Sequence, residues 1–187
     1  LWPWLAILVL LIITVLQLRH QGRLWWCACE QFFLWAGEVC SAHNSQHFLD
    51  PYSFTHLLHG LMFCGLLALG LRASRRRLPF LWQLWVVILL ESLWEVLENS
   101  EFIIGRYREA TAALGYHGDT VFNSLGDIFS CALGFIIARR VGFRGSLLLF
   151  VLTEIALTIW IRDSLILEII MLIHPVEAIK AWQMCPL

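Results

Sequence analysis

Residues 37–60 read GEVCSAHNSQHFLDPYSFTHLLHG, and the way this stretch ends decides the fold. It carries four of the seven histidines, His43, His47, His56 and His59, together with Glu38, Asp50 and Tyr52. It then runs without a break into an apolar segment, 53–71. About 20 such residues cross the hydrocarbon core of a bilayer as a helix. A dense set of titratable groups therefore sits at the mouth of a membrane span. Composition points the same way. Of 187 residues, 59% are hydrophobic and only 14% charged, ten are Trp, and the mean hydropathy is +0.73. Soluble domains run roughly 45–50% apolar and about 25% charged. The length suits one domain. The net charge of −1 says little about partners, but with no basic tract interleaved with aromatics nucleic acid is not an expected one.

Upstream, Leu1 to Leu18 is an apolar run ending at Arg19-His20, and it predicts a first span anchored at the interface by Trp2 and Trp4. The basic n-region and small-x-small cleavage site of a signal peptide are missing from it. The chain opens on Leu rather than Met, so residues are expected to precede it. Residues 19–52 read as a loop, with Trp25, Trp26 and Trp35 at headgroup level. The second span, 53–71, ends in a run of arginines at 72–77. A third span is predicted over 78–97, a polar loop over 98–119, a fourth span over 120–138 and a fifth over 146–161. Residues 164–174 are too short to cross, so 164–183 reads as an interfacial or re-entrant segment. The expected fold is all-α, a polytopic transmembrane helix bundle of about five spans in a single domain, 1–187, with no internal repeat.

The loops at 72–77 and 139–145 hold seven Arg and no acid. The positive-inside rule makes them cytoplasmic, places the N-terminus inside, and turns the polar segments outward. In a bacterial inner membrane the polar face is then periplasmic.

Four constellations could carry chemistry. His56 and His59, at i and i+3, share the first outer turn of the second span. With His47 and Asp50 they form a candidate site for a divalent metal such as zinc, with His43 close by; structural zinc takes four ligands, catalytic zinc three plus water. The spacing matches no zincin motif, and a hydrogen-bonded polar cap on the helix is the plainer alternative. Glu91, Glu95 and Glu98 recur at i, i+4, i+7 and project within about 40° of one another. A carboxylate at that depth must be protonated, paired or facing a wet cavity, so Glu91 and Glu95 are candidate catalytic groups. Asp119, Asn123 and Asp127 line one face of the fourth span, with Asp119 expected to cap it and Asn123 and Asp127 available for catalysis. Arg106, Arg108 and Arg162 could hold a phosphate or carboxylate, or pair with Glu98 or Asp119. Glu154 is a further intramembrane carboxylate.

Cys64 and Cys131 fall inside apolar helices, where a thiol behaves as a small hydrophobe. Cys27-x-Cys29 is too closely spaced for an easy mutual bridge, so either is expected to pair with Cys40 or to stay free.

Read together, GEVCSAHNSQHFLDPYSFTHLLHG, ESLWEVLENSEFIIGRYR, YHGDTVFNSLGDI, LGFIIARR and IRDSLILEIIMLIHPVEAIKAWQ resemble an uncharacterised family of alphaproteobacterial inner-membrane proteins filed as a domain of unknown function. The resemblance runs from about Cys27 to Gln183. It implies a multi-span membrane protein and supplies no activity, cofactor or catalytic residue. Where the family pattern has C-x-C-G, this chain has Cys27-Ala-Cys29-Glu30. A fainter resemblance, to VanZ-like membrane proteins, rests on Glu95, Arg106, Asp119-Thr-Val-Phe-Asn123 and Gly134, and implies an envelope or lipid-related role.

Three functions fit these residues. The first is a metal-dependent hydrolase or transferase acting on a lipid or envelope substrate. The second is a non-catalytic subunit or assembly factor of a larger membrane complex, with membrane lipids and other subunits as partners. The third is a proton-coupled transporter using Glu91, Asp127 and Glu154, although no comparable charge reaches the cytoplasmic half.

Overall fold

The structure, a computed structural model, describes residues 1–110 and 116–184. Among them are seven helices and no strand, only a single bridge between Trp35 and Leu49. They are α1 (Trp2–His20), α2 (Ser53–Ala73), α3 (Phe80–Glu98), α4 (Glu101–Ala110), α5 (Val121–Trp160), α6 (Leu165–Ile173) and α7 (Glu177–Gln183). Four of these, α1, α2, α3 and α5, are long and apolar enough to cross a membrane.

Local chemistry sets the boundaries. Pro3 lies in the first turn of α1 and Pro79 precedes α3, positions where a missing N–H leaves no bond unmade. Thr120 caps α5, its hydroxyl accepting the Asn123 N–H at 3.2 Å. That corrects the expectation for Asp119, which sits one residue too early and is engaged elsewhere. The polar loop predicted over 98–119 is also partly helical, as α4.

The fourth and fifth predicted spans are one helix, α5, broken only at Gly142. There φ is 71°, a conformation open to glycine and strained for side-chain-bearing residues. The basic segment 139–145 was expected to be a loop; a single residue makes the turn. The two ends of α5 meet the same loop. Phe122 packs against Phe32 and Phe48, while Trp160 stacks on Trp35 and meets Phe54 edge-on. The limbs 121–141 and 143–160 therefore run back on each other. At nine residues, α6 is too short to cross, as expected for that segment.

Helices α2 and α5 make the closest approach. A Cβ on Gly60 would overlap the Cys131 carbonyl and lie 2.6 Å from the Phe135 nitrogen, and one on Gly134 would overlap the Leu57 carbonyl. Small residues let two backbones meet in this way. The distribution of polarity is inverted relative to a soluble bundle. Leu8, Ile12 and Leu16 on α1 and Leu147, Leu148 and Leu152 on α5 face outward, while Glu91, Glu95, Asn123 and Asp127 are enclosed. That pattern suits a lipid solvent.

Candidate functional site

The site lies where the starts of α2 and α5 meet the end of α3. Each helix contributes groups that its sequence period brings to one side. From α2 come Ser53, His56 and His59; from α3, Glu91, Glu95 and Glu98; from α5, Asn123 and Asp127. His56 is the hub. Its Nδ1 is 2.5 Å from Glu91 Oε1 and 3.3 Å from Glu95 Oε1, and its Nε2 is 3.9 Å from Asp127 Oδ2. His59 Nδ1 is 3.1 Å from Glu91 Oε2. All of these side chains but the half-buried Glu98 are buried, Glu91 and Glu95 completely. Two groups of three donors are close enough for one ion, His56–His59–Glu91 and His56–Glu95–Glu98.

The arrangement has a direction. Glu91 takes both imidazole Nδ1 atoms, leaving His56 Nε2 facing Asp127. Asp127 is itself held by the Ser53 hydroxyl, which donates to Oδ1 at 2.7 Å. Both oxygens of Glu95 are buried without a hydrogen bond, the His56 contact being an ion pair of poor hydrogen-bond geometry. Buried carboxylate oxygens in native proteins are almost always satisfied, so a gap of this kind calls for a cation or a proton.

Above His56 opens a cleft of about 60 Å³. Its lining includes Tyr52, Tyr107 and Tyr116 and five carboxylates, Glu98, Asp119, Asp127, Asp163 and Glu168, and no Lys or Arg. The tyrosines are tied to the acids: Tyr52 donates to Asp163 at 3.3 Å, Tyr107 to Glu98 at 3.0 Å and Tyr116 to Asp119 at 2.9 Å. Asn99 spans the other side of Asp119, donating to Oδ2 at 2.8 Å and accepting the Asp119 N–H at 2.7 Å. Burial first, and then neighbouring carboxylates, push all three phenols well above their ordinary range.

Of the predicted metal set, the structure brings His56 and His59 together and keeps Asp50 nearby but occupied. Asp50 accepts the N–H groups of Ser45 and Tyr52, both at 2.8 Å, and the amide of Asn123 at 3.5 Å. It thereby fixes the entry to α2. His47 is placed elsewhere: its Nε2 lies 3.0 Å from His43 Nδ1, and both group with Cys27 and Cys29. Burial and the neighbouring His43 push His47 down, toward the neutral form. The expectation about the cysteines is corrected too. Cys27 and Cys29 are joined to each other, with Cα atoms 5.1 Å apart, inside the usual range.

The three arginines do not face the cleft. Arg106 donates to the Leu172 and Ile173 carbonyls at the end of α6, Arg108 to the Tyr116 carbonyl and His117, and Arg162 to the Trp182 carbonyl. They close helix ends and loops, and the salt bridges considered for them with Glu98 or Asp119 do not form. Among the described residues every ion pair is a histidine–carboxylate pair. Glu154 accepts the Ile166 N–H at 3.2 Å and so braces α6. Sequence reasoning noted Tyr52 only within the titratable stretch 37–60 and did not place Tyr107, Tyr116, Asn99, Asp163 or Glu168 in the site. Tyr107 was visible in Arg106-Tyr-Arg108, but only the fold shows that the phenol turns inward while the guanidinium groups turn away.

The acids outside the spans give a pH dependence. Burial raises the Asp50 carboxyl from 3.8 to about 6, against the pull of its Ser45 and Tyr52 N–H donors. Burial also raises Asp163 to about 7. Folded-state values above unfolded ones mean that the folded protein binds more protons between about pH 4 and 7, so stability falls as pH rises through that window. For Asp50 alone the difference is about 3 kcal/mol at 1.36 kcal/mol per unit. Chelator-treated protein in detergent should melt at a higher temperature at pH 5 than at pH 7.5. A profile rising with pH would contradict this.

Comparison with known proteins gives a consistent identity and no activity. A family described as "Protein of unknown function (DUF2585)" matches residues 18–185. A UPF0314 protein of Paracoccus denitrificans (strain Pd 1222) is 43% identical over 182 residues, covering 97% of this chain and 92% of the relative. UPF0314 proteins of Novosphingobium aromaticivorans and Sphingopyxis alaskensis are 43% and 41% identical, over 91% and 96% of this chain and 86% and 94% of theirs. No solved structure matches. With the family model covering nearly the whole chain, and relatives from several alphaproteobacteria agreeing, this chain belongs to the DUF2585 family of proteins of unknown function.

Proposed function

We propose that this protein is an integral membrane enzyme of the bacterial inner membrane, a metal-dependent hydrolase or transferase working on a lipid or envelope substrate from the periplasmic side. The observation that carries the reading is Glu95, whose two buried oxygens have no hydrogen-bond partner beside His56. His56, Glu95 and Glu98 hold a divalent metal such as zinc, with Asp127 facing it. Glu91 orients His56 by accepting from Nδ1, the carboxylate–histidine relation that fixes a metal ligand's tautomer. The metal supplies a Lewis acid and lowers the pKa of a bound water. The cleft's acidity fits this assignment. Five carboxylates without an arginine repel an anionic substrate unless a cation stands between them.

Manganese, which prefers oxygen-rich sites to thiolates, is the probe. Purified protein should bind one Mn²⁺ by electron paramagnetic resonance titration. Glu95→Gln and His56→Ala should each weaken binding by about 10–100-fold, the range seen when metal-site groups are removed. Protein that stays metal-free at saturating Mn²⁺, or a Glu95→Gln variant that binds as the parent does, sinks the reading.

A second reading, a non-catalytic subunit of a membrane complex, draws on the exposed aromatic rim of Trp25, Trp26, Phe32, Leu34 and Trp35. Contiguous exposed apolar side chains of this kind mark lipid or partner contacts. Ser or Ala substitutions along the rim that shift the protein from a complex to a monomer in native gels would favour it.

A further inference from the structure

The loop between α1 and α2 contains a second cluster, separate from the His56 site. One donor atom from each of Cys27, Cys29, His43 and His47 lies within 4.8 Å of all the others. Cys27 Sγ is 3.8 Å from His43 Nδ1, which is 3.0 Å from His47 Nε2. Cys27 and His47 are buried, and the Phe33 ring covers the His47 imidazole at 4.7 Å between centroids. A disulfide accounts for the two sulfurs. It does not account for two imidazoles converging on them from the far side of the loop.

The sequence spacing supports a different state. Cys27-x-Cys29 is followed after 13 residues by His43-x-x-x-His47. Two cysteines and two histidines are a tetrahedral zinc donor set, and the Cys-to-His gap and the His pair fall in the ranges such sites use. The cysteine pair is one residue tighter than usual. We propose that Cys27, Cys29, His43 and His47, with both cysteines reduced, bind one Zn²⁺ as a structural centre.

The disulfide and the zinc centre are alternative states of the same sulfurs. A thiol or phosphine reductant supplies two electrons, and with two protons the S–S bond becomes two thiols. Zinc then displaces both thiol protons to solvent and binds the thiolates. In the metal-free chain the Phe33 N–H points at His47 Nδ1 at 3.3 Å, which leaves the ring proton on Nε2. With zinc on Nε2 that proton moves to Nδ1, and the Phe33 contact is given up. The centre closes the loop that carries Ser45. The Ser45 N–H donates to Asp50 and its carbonyl accepts from Thr120, so the metal holds one wall of the acidic cleft.

The test uses the full chain in detergent, reduced with a phosphine, and Co²⁺ as a spectroscopic stand-in for zinc. One equivalent should produce a thiolate-to-cobalt charge-transfer band that zinc abolishes. The band should be absent from unreduced protein and from Cys27→Ser/Cys29→Ser, weakened in His43→Ala, and retained in His56→Ala. No band in the reduced protein, or a band that survives the double serine change, overturns the proposal. Should the serine variant fail to fold, the unaltered protein still decides. Zinc should slow iodoacetamide modification of both Cys27 and Cys29 by about tenfold or more, since metal-bound thiolates are withheld from reaction. Equal rates with and without zinc count against the centre.

Discussion

Gly60→Ala is expected to cost the protein its folded state. The added methyl would overlap the Cys131 carbonyl and sit 2.6 Å from the Phe135 nitrogen, both backbone atoms of α5. A flexible side chain could turn aside, but a helix backbone has nowhere to go, so α2 and α5 must separate along their longest contact. Overpacking against side chains costs about 1–3 kcal/mol. Against backbone the figure should exceed that range, well beyond the ~1 kcal/mol that alanine gains over glycine in a helix. The internal control is Gly65→Ala on the same helix, where nothing lies within 4 Å. It should be neutral or slightly stabilising. Monodispersity in detergent and thermal melting separate the two, and equal melting points for Gly60→Ala and the parent would refute the packing described.

Glu91→Leu should be nearly as damaging, for an electrostatic reason. Glu91 is wholly enclosed and is the shared acceptor for His56 and His59. Its removal leaves His59 Nδ1 without its acceptor and His56 Nδ1 with only the poorly aligned Glu95. Breaking a buried pair from one side costs about 3–5 kcal/mol. Glu91→Gln, which keeps the volume and one acceptor oxygen, should recover part of the stability. It should not restore Mn²⁺ affinity, because one amide oxygen cannot orient both rings. His59→Ala removes one partner and leaves His56 in place, so it should be milder in both measurements. A Glu91→Gln variant with parental metal affinity would separate Glu91 from the site.

The fold was legible because the membrane signal is compositional. Apolar runs locate the four helices long and apolar enough to cross within a few residues. Of the misread connections, the one at Gly142 has a simple cause: a turn made by a single glycine leaves no polar linker to see. The acids of α3 and α5 were legible from spacing, since charges at i, i+4 in an apolar helix have few places to go. Partnership was not. His47 lies nine residues before His56 and yet belongs to Cys27 and Cys29 across a loop whose path no periodicity encodes. The cysteine–histidine spacing is present in the chain, but the sequence reading weighs Cys27 and Cys29 only against a bridge to Cys40 or free thiols. The arginines misled in the opposite direction. Guanidinium groups beside acids suggest anion binding, whereas here carbonyls at helix ends claim them first.

The start of α5 has a consequence for how anything reaches the cleft. The amides of Thr120, Val121 and Phe122 are taken by the carbonyls of Ser45, Leu24 and Trp25 at 3.1, 2.8 and 3.2 Å. These bonds stitch the long loop onto the helix end, so the loop is a fixed wall and not a flap. The opposite wall is held through side chains instead of backbone amides. There Arg106 reaches the last carbonyls of α6, and the Gln183 amide reaches Asp163 at 2.9 Å. Any widening of the cleft therefore comes from α4, α6 and α7 and not from the loop.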